Sequence, residues 1–177
     1  MTRRYRNIAY FSVLLALSVA LPYLFHIVVP QGGRIFLPMH FPVQLAGFLI
    51  SPIAGLLLGT FAPIFNFLIS GMPPFPLFVT MMFELSIMGL ICGLLGKRFN
   101  PLWALIIAIL ASKFSLALGW WIIFVLGIKT PITNEAIIGV SLGTLISGFP
   151  GIAIQILVIP SLTLIIGKTR KLPEKDK

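Results

Sequence analysis

The sequence predicts an all-α membrane protein with six transmembrane helices and both termini in the cytoplasm. Three observations lead there. The chain is 58% hydrophobic and only 10% charged over 177 residues, with mean hydropathy +1.07. A soluble domain of that size has too little interior to hide so much apolar surface. The apolar residues fall into six long runs separated by Pro, Gly and charged residues. All but one of the basic residues sit outside or at the ends of those runs rather than within them.

A helix that crosses a bilayer needs about 20 apolar residues. The first candidate is 7–29, ending at Pro30-Gln31-Gly32-Gly33. Its length exceeds a signal-peptide core, and no clear small-residue cleavage site follows. The second, 41–50, is short and is closed by Ser51-Pro52. The third is 53–69, ending at Gly71-Met72-Pro73-Pro74, and the fourth is 76–95. The fifth is 101–127 and the sixth 136–166. Pro150, flanked by Gly148 and Gly151, is expected to kink or break the sixth. The six form a single domain over 1–177, with a basic tail at 168–177.

The net charge of +9 would suit nucleic acid, but its distribution argues for a membrane instead. Arg3, Arg4 and Arg6 precede the first run; Lys97 and Arg98 separate the fourth and fifth; Lys168, Arg170, Lys171, Lys175 and Lys177 follow the last. With six spans all ten lie on the cytoplasmic side, leaving Arg34 and Lys129 outside, as the positive-inside rule requires. The single cysteine, Cys92, excludes an intrachain disulfide and a multi-cysteine metal site.

Two charges interrupt the apolar runs. Glu84 in the fourth and Lys113 in the fifth both fall near mid-membrane when counted from their ends at 1.5 Å per residue. A charge there costs about 2.5–3.5 kcal/mol on insertion scales and faces a partner or a water-filled cavity. Trp120 lies seven residues after Lys113, on the same helix face and nearer the outside, with Trp121 adjacent. Asn66 comes at similar depth in the third run. His26, His40 and Gln44 belong to the outer ends of the first two. Together they can line a cavity open to the outside, since ligand pockets are mostly apolar with a few placed polar groups. The plainer readings are a buried ion pair clipping two spans, an aromatic belt, and ordinary hydrogen bonding at the membrane edge. Gln155 reads as a helix–helix tie.

Small residues recur one turn apart at Ala16 and Ala20, Gly55 and Gly59, and Gly89 and Gly93. That spacing lets helix backbones approach closely in lipid. The glycines suit internal packing; the alanines could face a partner membrane protein. Two enzymatic signatures are missing: there is no His-Glu-x-x-His and no phosphate-binding Gly-x-x-x-x-Gly-Lys loop, and Asp176 in the tail is the only aspartate. The chain is expected to be no enzyme and to carry no cofactor or metal.

The run Leu37-Pro38-Met39-His40-Phe41-Pro42-Val43, with Ala46-Gly47-Phe48, Gly55-Leu56-Leu57-Leu58-Gly59 and Ser70-Gly71-Met72-Pro73-Pro74, resembles the substrate-binding S components of energy-coupling factor (ECF) transporters. The resemblance spans essentially the whole chain. It implies a bacterial plasma-membrane protein that captures a water-soluble vitamin or vitamin precursor from outside. It would then topple on a transmembrane T subunit driven by two ATPase subunits, docking through Ala16 and Ala20. Carried over, the substrate-binding residues would be Arg34, His40, Glu84, Lys113, Trp120, Trp121 and Asn134, to which depth alone adds Asn66. No signature of riboflavin, thiamine or biotin carriers is present. Pantothenate, a pyridoxine-like or hydroxymethylpyrimidine-like precursor, or a cobalamin-related compound remains open. The competing readings are a self-sufficient small-solute facilitator and a membrane scaffold.

Overall fold

The computed structural model describes residues 3–28, 32–130 and 132–171. Helices α1 (Arg3–Val28), α2 (Gly32–Phe36), α3 (His40–Leu49), α4 (Pro52–Ser70), α5 (Leu77–Leu95), α6 (Pro101–Val125), α7 (Ile137–Ser147) and α8 (Phe149–Lys171) follow one another, with a 3-10 turn at Asn134–Ala136 and no strand among the described residues. The side chain of His26 and the tail beyond Lys171 lie outside the described residues.

Among the described residues, five stretches are long and apolar enough to cross a membrane: Arg4–Phe25, Pro52–Ser70, Leu77–Leu95, Pro101–Val125 and Phe149–Ile166. A shorter apolar helix covers Asn134–Ser147, and the second predicted run is α3. Its ten residues reach about 15 Å, half of a hydrocarbon core of about 30 Å. It lies packed among α1, α4, α5 and α8, where those longer helices shield its ends from lipid. The chain is an all-α, multi-pass membrane protein.

Local chemistry sets the helix ends. Ser51 is extended and its hydroxyl accepts from the Ala54 amide at 3.0 Å, with Pro52 opening α4. Asn100 does the same for α6 through the Leu102 amide at 3.0 Å, ahead of Pro101. Gly71 closes α4 at φ 70°, a left-handed conformation suited to glycine. The sixth predicted run divides at Gly148 into α7 and α8. Pro150 has no amide hydrogen to give the preceding turn. Helical bonds continue on either side, from Gly148 to the Thr144 carbonyl at 3.0 Å and from Ile152 to the Gly148 carbonyl at 2.9 Å.

The centre of the molecule is a seam of bare backbone. Gly47 of α3, Gly55 and Gly59 of α4, and Gly89 and Gly93 of α5 meet there. A methyl group added at Gly55 would lie 2.9 Å from the Gly47 Cα, and one at Gly89 would lie 2.9 Å from the Gly55 Cα. No side chain fits at those distances, so the glycines let three helices touch along their main chains. Around the seam pack Leu58, Ala62, Leu85, Met88, Cys92, Leu105 and Ile159. The Thr60 and Ser86 hydroxyls, 2.7 Å apart, tie α4 to α5 beside it.

Candidate functional site

The site begins in the turn before α3. Leu37 takes φ 51°, a left-handed conformation that is costly for a branched side chain. Its carbonyl accepts the His40 amide at 3.0 Å, closing a turn through Pro38 and Met39. The Leu37 side chain and the Phe36 main chain rest on Gly148 and Gly151 at the start of α8. This contact explains the Gly-Phe-Pro-Gly sequence there: two glycines admit the loop. The turn delivers His40 into the interior, 3% exposed.

Opposite His40 stands Glu84, the eighth residue of α5, and beyond it Lys113, the thirteenth of α6. Each is 4% exposed. Lys113 Nζ donates to Glu84 Oε1 in a direct ion pair. His40 Nε2 lies 3.7 Å from the same carboxylate oxygen. One carboxylate thus gathers α3, α5 and α6. Ser115, two residues after Lys113, donates to the Phe83 carbonyl at 2.8 Å and so bonds α6 to α5. At Gly119, an added methyl would meet Thr80 Cα and Phe83 Cδ2 at 3.2 Å, so the two helices stay close toward the outer end.

One turn along α3 and α5 the polar column continues. Residues four apart share a helix face, so Gln44 follows His40 and Met88 follows Glu84. Gln44 Nε2 donates to Gln155 Oε1 at 2.5 Å and lies 3.3 Å from Met88 Sδ. Both glutamines are fully buried. This pair joins α3 to α8, in keeping with the helix–helix tie expected of Gln155. The expectation for Gln44, a residue of the outer end, understated it. The signal was available in its i, i+4 spacing from His40.

The other expected residues fall into separate places. Trp120 is 6% exposed and packs with Leu116 and Ile137, on the Lys113 face of α6. Trp121 is 51% exposed and shares a surface groove with Asn134, Phe114 and Ile138. Asn66 is buried, but its amide donates to the Ser18 carbonyl of α1 at 3.0 Å and to the Ala62 carbonyl at 2.8 Å. It stitches α4 to α1, away from Glu84. Arg34 is exposed on α2. Ala16 and Ala20 are exposed on the outward face of α1, and Ala20 borders a shallow apolar groove with Tyr23, Leu24 and Ile69. The structure therefore brings together His40, Glu84 and Lys113 with Trp120 nearby on the same face, and adds Gln44 and Gln155. It sets Trp121 and Asn134 as a second group.

Comparison with known proteins gives one positive result. Residues 6–163 match the family model described as ECF transporter, substrate-specific component. No curated protein and no solved structure matches the chain. The match runs from the first turns of α1 into α8 and so includes every element that builds the buried polar cluster. The chain belongs to the family of substrate-specific components of ECF transporters.

Proposed function

We propose that this protein is the substrate-capturing subunit of an ATP-driven importer for a water-soluble vitamin or vitamin precursor, seated in the bacterial plasma membrane. The observation that supports this most is the buried cluster of His40, Glu84 and Lys113 on three different helices. An anchor or a scaffold gains little from two ionised groups whose removal from water costs several kcal/mol each. A capture site gains a fixed pattern of donors and acceptors at mid-depth. Trp120 supplies an apolar wall on the same helix face, and Arg34, Trp121 and Asn134 belong to the outer end, where an entering solute passes first. Asn66 holds α1 against α4 beneath that end.

ATP hydrolysis falls to partners, two ATPase subunits acting through a transmembrane T subunit. The exposed Ala16 and Ala20 suit docking on that T subunit, because small side chains permit close backbone approach in lipid. Family membership and the exposed position of both alanines support this assignment.

The test is to purify the chain from its native membrane and identify what accompanies it. A stoichiometric vitamin-like small molecule, together with a T subunit and two ATPases, is the expected result. A small molecule without those partners would favour a self-sufficient facilitator. Neither small molecule nor partners would favour a scaffold in which the ion pair is a clip.

A further inference from the structure

Two features of the polar column define what it can hold. The first is its unfinished hydrogen bonding. Gln44 and Gln155 spend one amide nitrogen and one carbonyl oxygen on each other. Gln44 Oε1 and Gln155 Nε2 remain without a partner, although both residues are fully buried. Exchanging nitrogen and oxygen in both amides leaves the same remainder, one carbonyl oxygen and one amide NH2. Both ring nitrogens of His40, one turn away along α3, also lack a hydrogen bond. Buried polar groups are nearly always satisfied, so an unspent donor and an unspent acceptor in one column call for an occupant that supplies their complements.

The second feature is charge balance. The polar side chains of this column are His40 and Gln44 from α3, Glu84 from α5, Lys113 from α6 and Gln155 from α8. Glu84 and Lys113 cancel. An anion entering here would leave a net buried charge unless a proton came with it, and a cation would meet the same penalty.

We propose that His40, Gln44 and Gln155 form the specificity-determining floor of the capture site. Its occupant is a small, net-uncharged heteroaromatic solute that presents both a hydrogen-bond donor and an acceptor. The solute's acceptor takes the free amide NH2, its donor gives to the free amide oxygen, and the Glu84–Lys113 pair stays closed beside it. The inference rests on the capture function proposed above and narrows its substrate to the small heteroaromatic members of the open set.

Isothermal titration of the purified full chain near neutral pH tests this with four probes: pyridoxine, hydroxymethylpyrimidine, pantothenate and cobalamin. The first two are small, net-uncharged heteroaromatic alcohols, and pantothenate is an amide-bearing anion. Pyridoxine or hydroxymethylpyrimidine should bind most tightly, with equal heats in buffers of different ionisation enthalpy, because no proton is taken up. The double variant Gln44→Leu with Gln155→Leu removes both unspent groups at nearly constant volume. It should keep the parent unfolding temperature and bind that probe at least about tenfold more weakly, the loss expected from one unmet hydrogen bond. Tightest binding of pantothenate or cobalamin, or unchanged affinity in the folded double variant, overturns the inference and leaves the capture function standing. Failure of all four probes to bind overturns the inference too, and what copurifies with the chain from its native membrane then decides the capture function.

Discussion

The two faces of α5 solve opposite problems. Toward α3 and α4 it presents Gly89 and Gly93, and the backbones touch with nothing between them. Toward α6 and the start of α3 it presents Glu84, and a charge is held among side chains. The first face is dry, rigid and tolerant of no added atom. The second holds groups whose partners can in principle be exchanged. A helix that is immovable on one side and chemically active on the other is suited to hold a site still while something enters it. The comparison predicts different failures for the two faces.

The largest effect should come from removing one charge. Lys113→Ala leaves Glu84 buried without its cation, and Glu84→Ala strands Lys113. Either should cost about 3–5 kcal/mol of stability, visible as loss of folded protein in detergent by size-exclusion chromatography or thermal unfolding. Replacing both, Glu84→Gln with Lys113→Gln, removes the charges together and keeps hydrogen-bonding capacity. That variant should fold. If the pair belongs to the capture site, its ligand affinity should fall steeply; normal affinity would make the pair a structural clip alone.

Next comes the glycine seam. Gly89→Ala adds one methyl group against the Gly55 backbone, whose Cα would lie 2.9 Å away. Overpacking costs about 1–3 kcal/mol, and the upper end is expected because main chain on both sides cannot turn aside as a side chain would. Thermal unfolding checks it. Ligand affinity in the fraction that folds should be preserved, which separates this face from the other. Gly139 and Gly143 of α7 provide the control, because an added methyl there meets nothing within 4 Å. Alanine at either should leave the unfolding temperature nearly unchanged.

A third region sharpens the contrast by facing away from both. On α1, Ala16 and Ala20 are exposed, so a bulky residue there disturbs nothing inside. Ala16→Trp should therefore leave ligand binding by the solitary subunit intact while reducing transport and recovery of the T subunit by tenfold or more. Equal loss of binding would mean that this face is needed for the fold.

Much of this was legible in the sequence because lipid imposes simple rules. Apolar runs of a given length become helices: the first five predicted runs each appear as one helix, within a few residues at each end, and the sixth appears as two. The Glu84–Lys113 contact was legible because two lone charges at matching depth have few alternatives. Other features depend on rotation about the helix axis, which depth alone does not fix. Trp120 and Trp121 are neighbours in sequence, yet one points inward and the other is exposed. Asn66 was placed at the right depth, but it turns toward Ser18 of α1. Gln44 meets Gln155 across 111 residues of sequence, a pairing fixed by how α8 crosses α3 after the Gly148–Gly151 segment admits the loop. Local sequence carries the glycines that permit that crossing; it does not carry the crossing itself.

The smallest predicted effect probes the border between the two faces of α5. Ser115 of α6 donates to the Phe83 carbonyl at 2.8 Å, in the residue before Glu84. Interhelical hydrogen bonds in membrane proteins contribute about 0.6 kcal/mol on average, because the separated helices find other partners. Ser115→Ala should therefore lower stability by about that amount, near the limit of thermal unfolding measurements. Its consequence for the site should be easier to read. If the bond sets the register that brings Lys113 to Glu84, the alanine variant should lose ligand affinity several-fold while its stability barely changes. The same change at Ser161, whose hydroxyl bonds the Leu157 carbonyl within its own helix at 2.8 Å and is exposed, should alter neither. Parallel affinity in the two variants would show that α5 and α6 keep their register through packing at Gly119 and Thr80, and that the polar face is positioned by the same close backbone contact that builds the dry one.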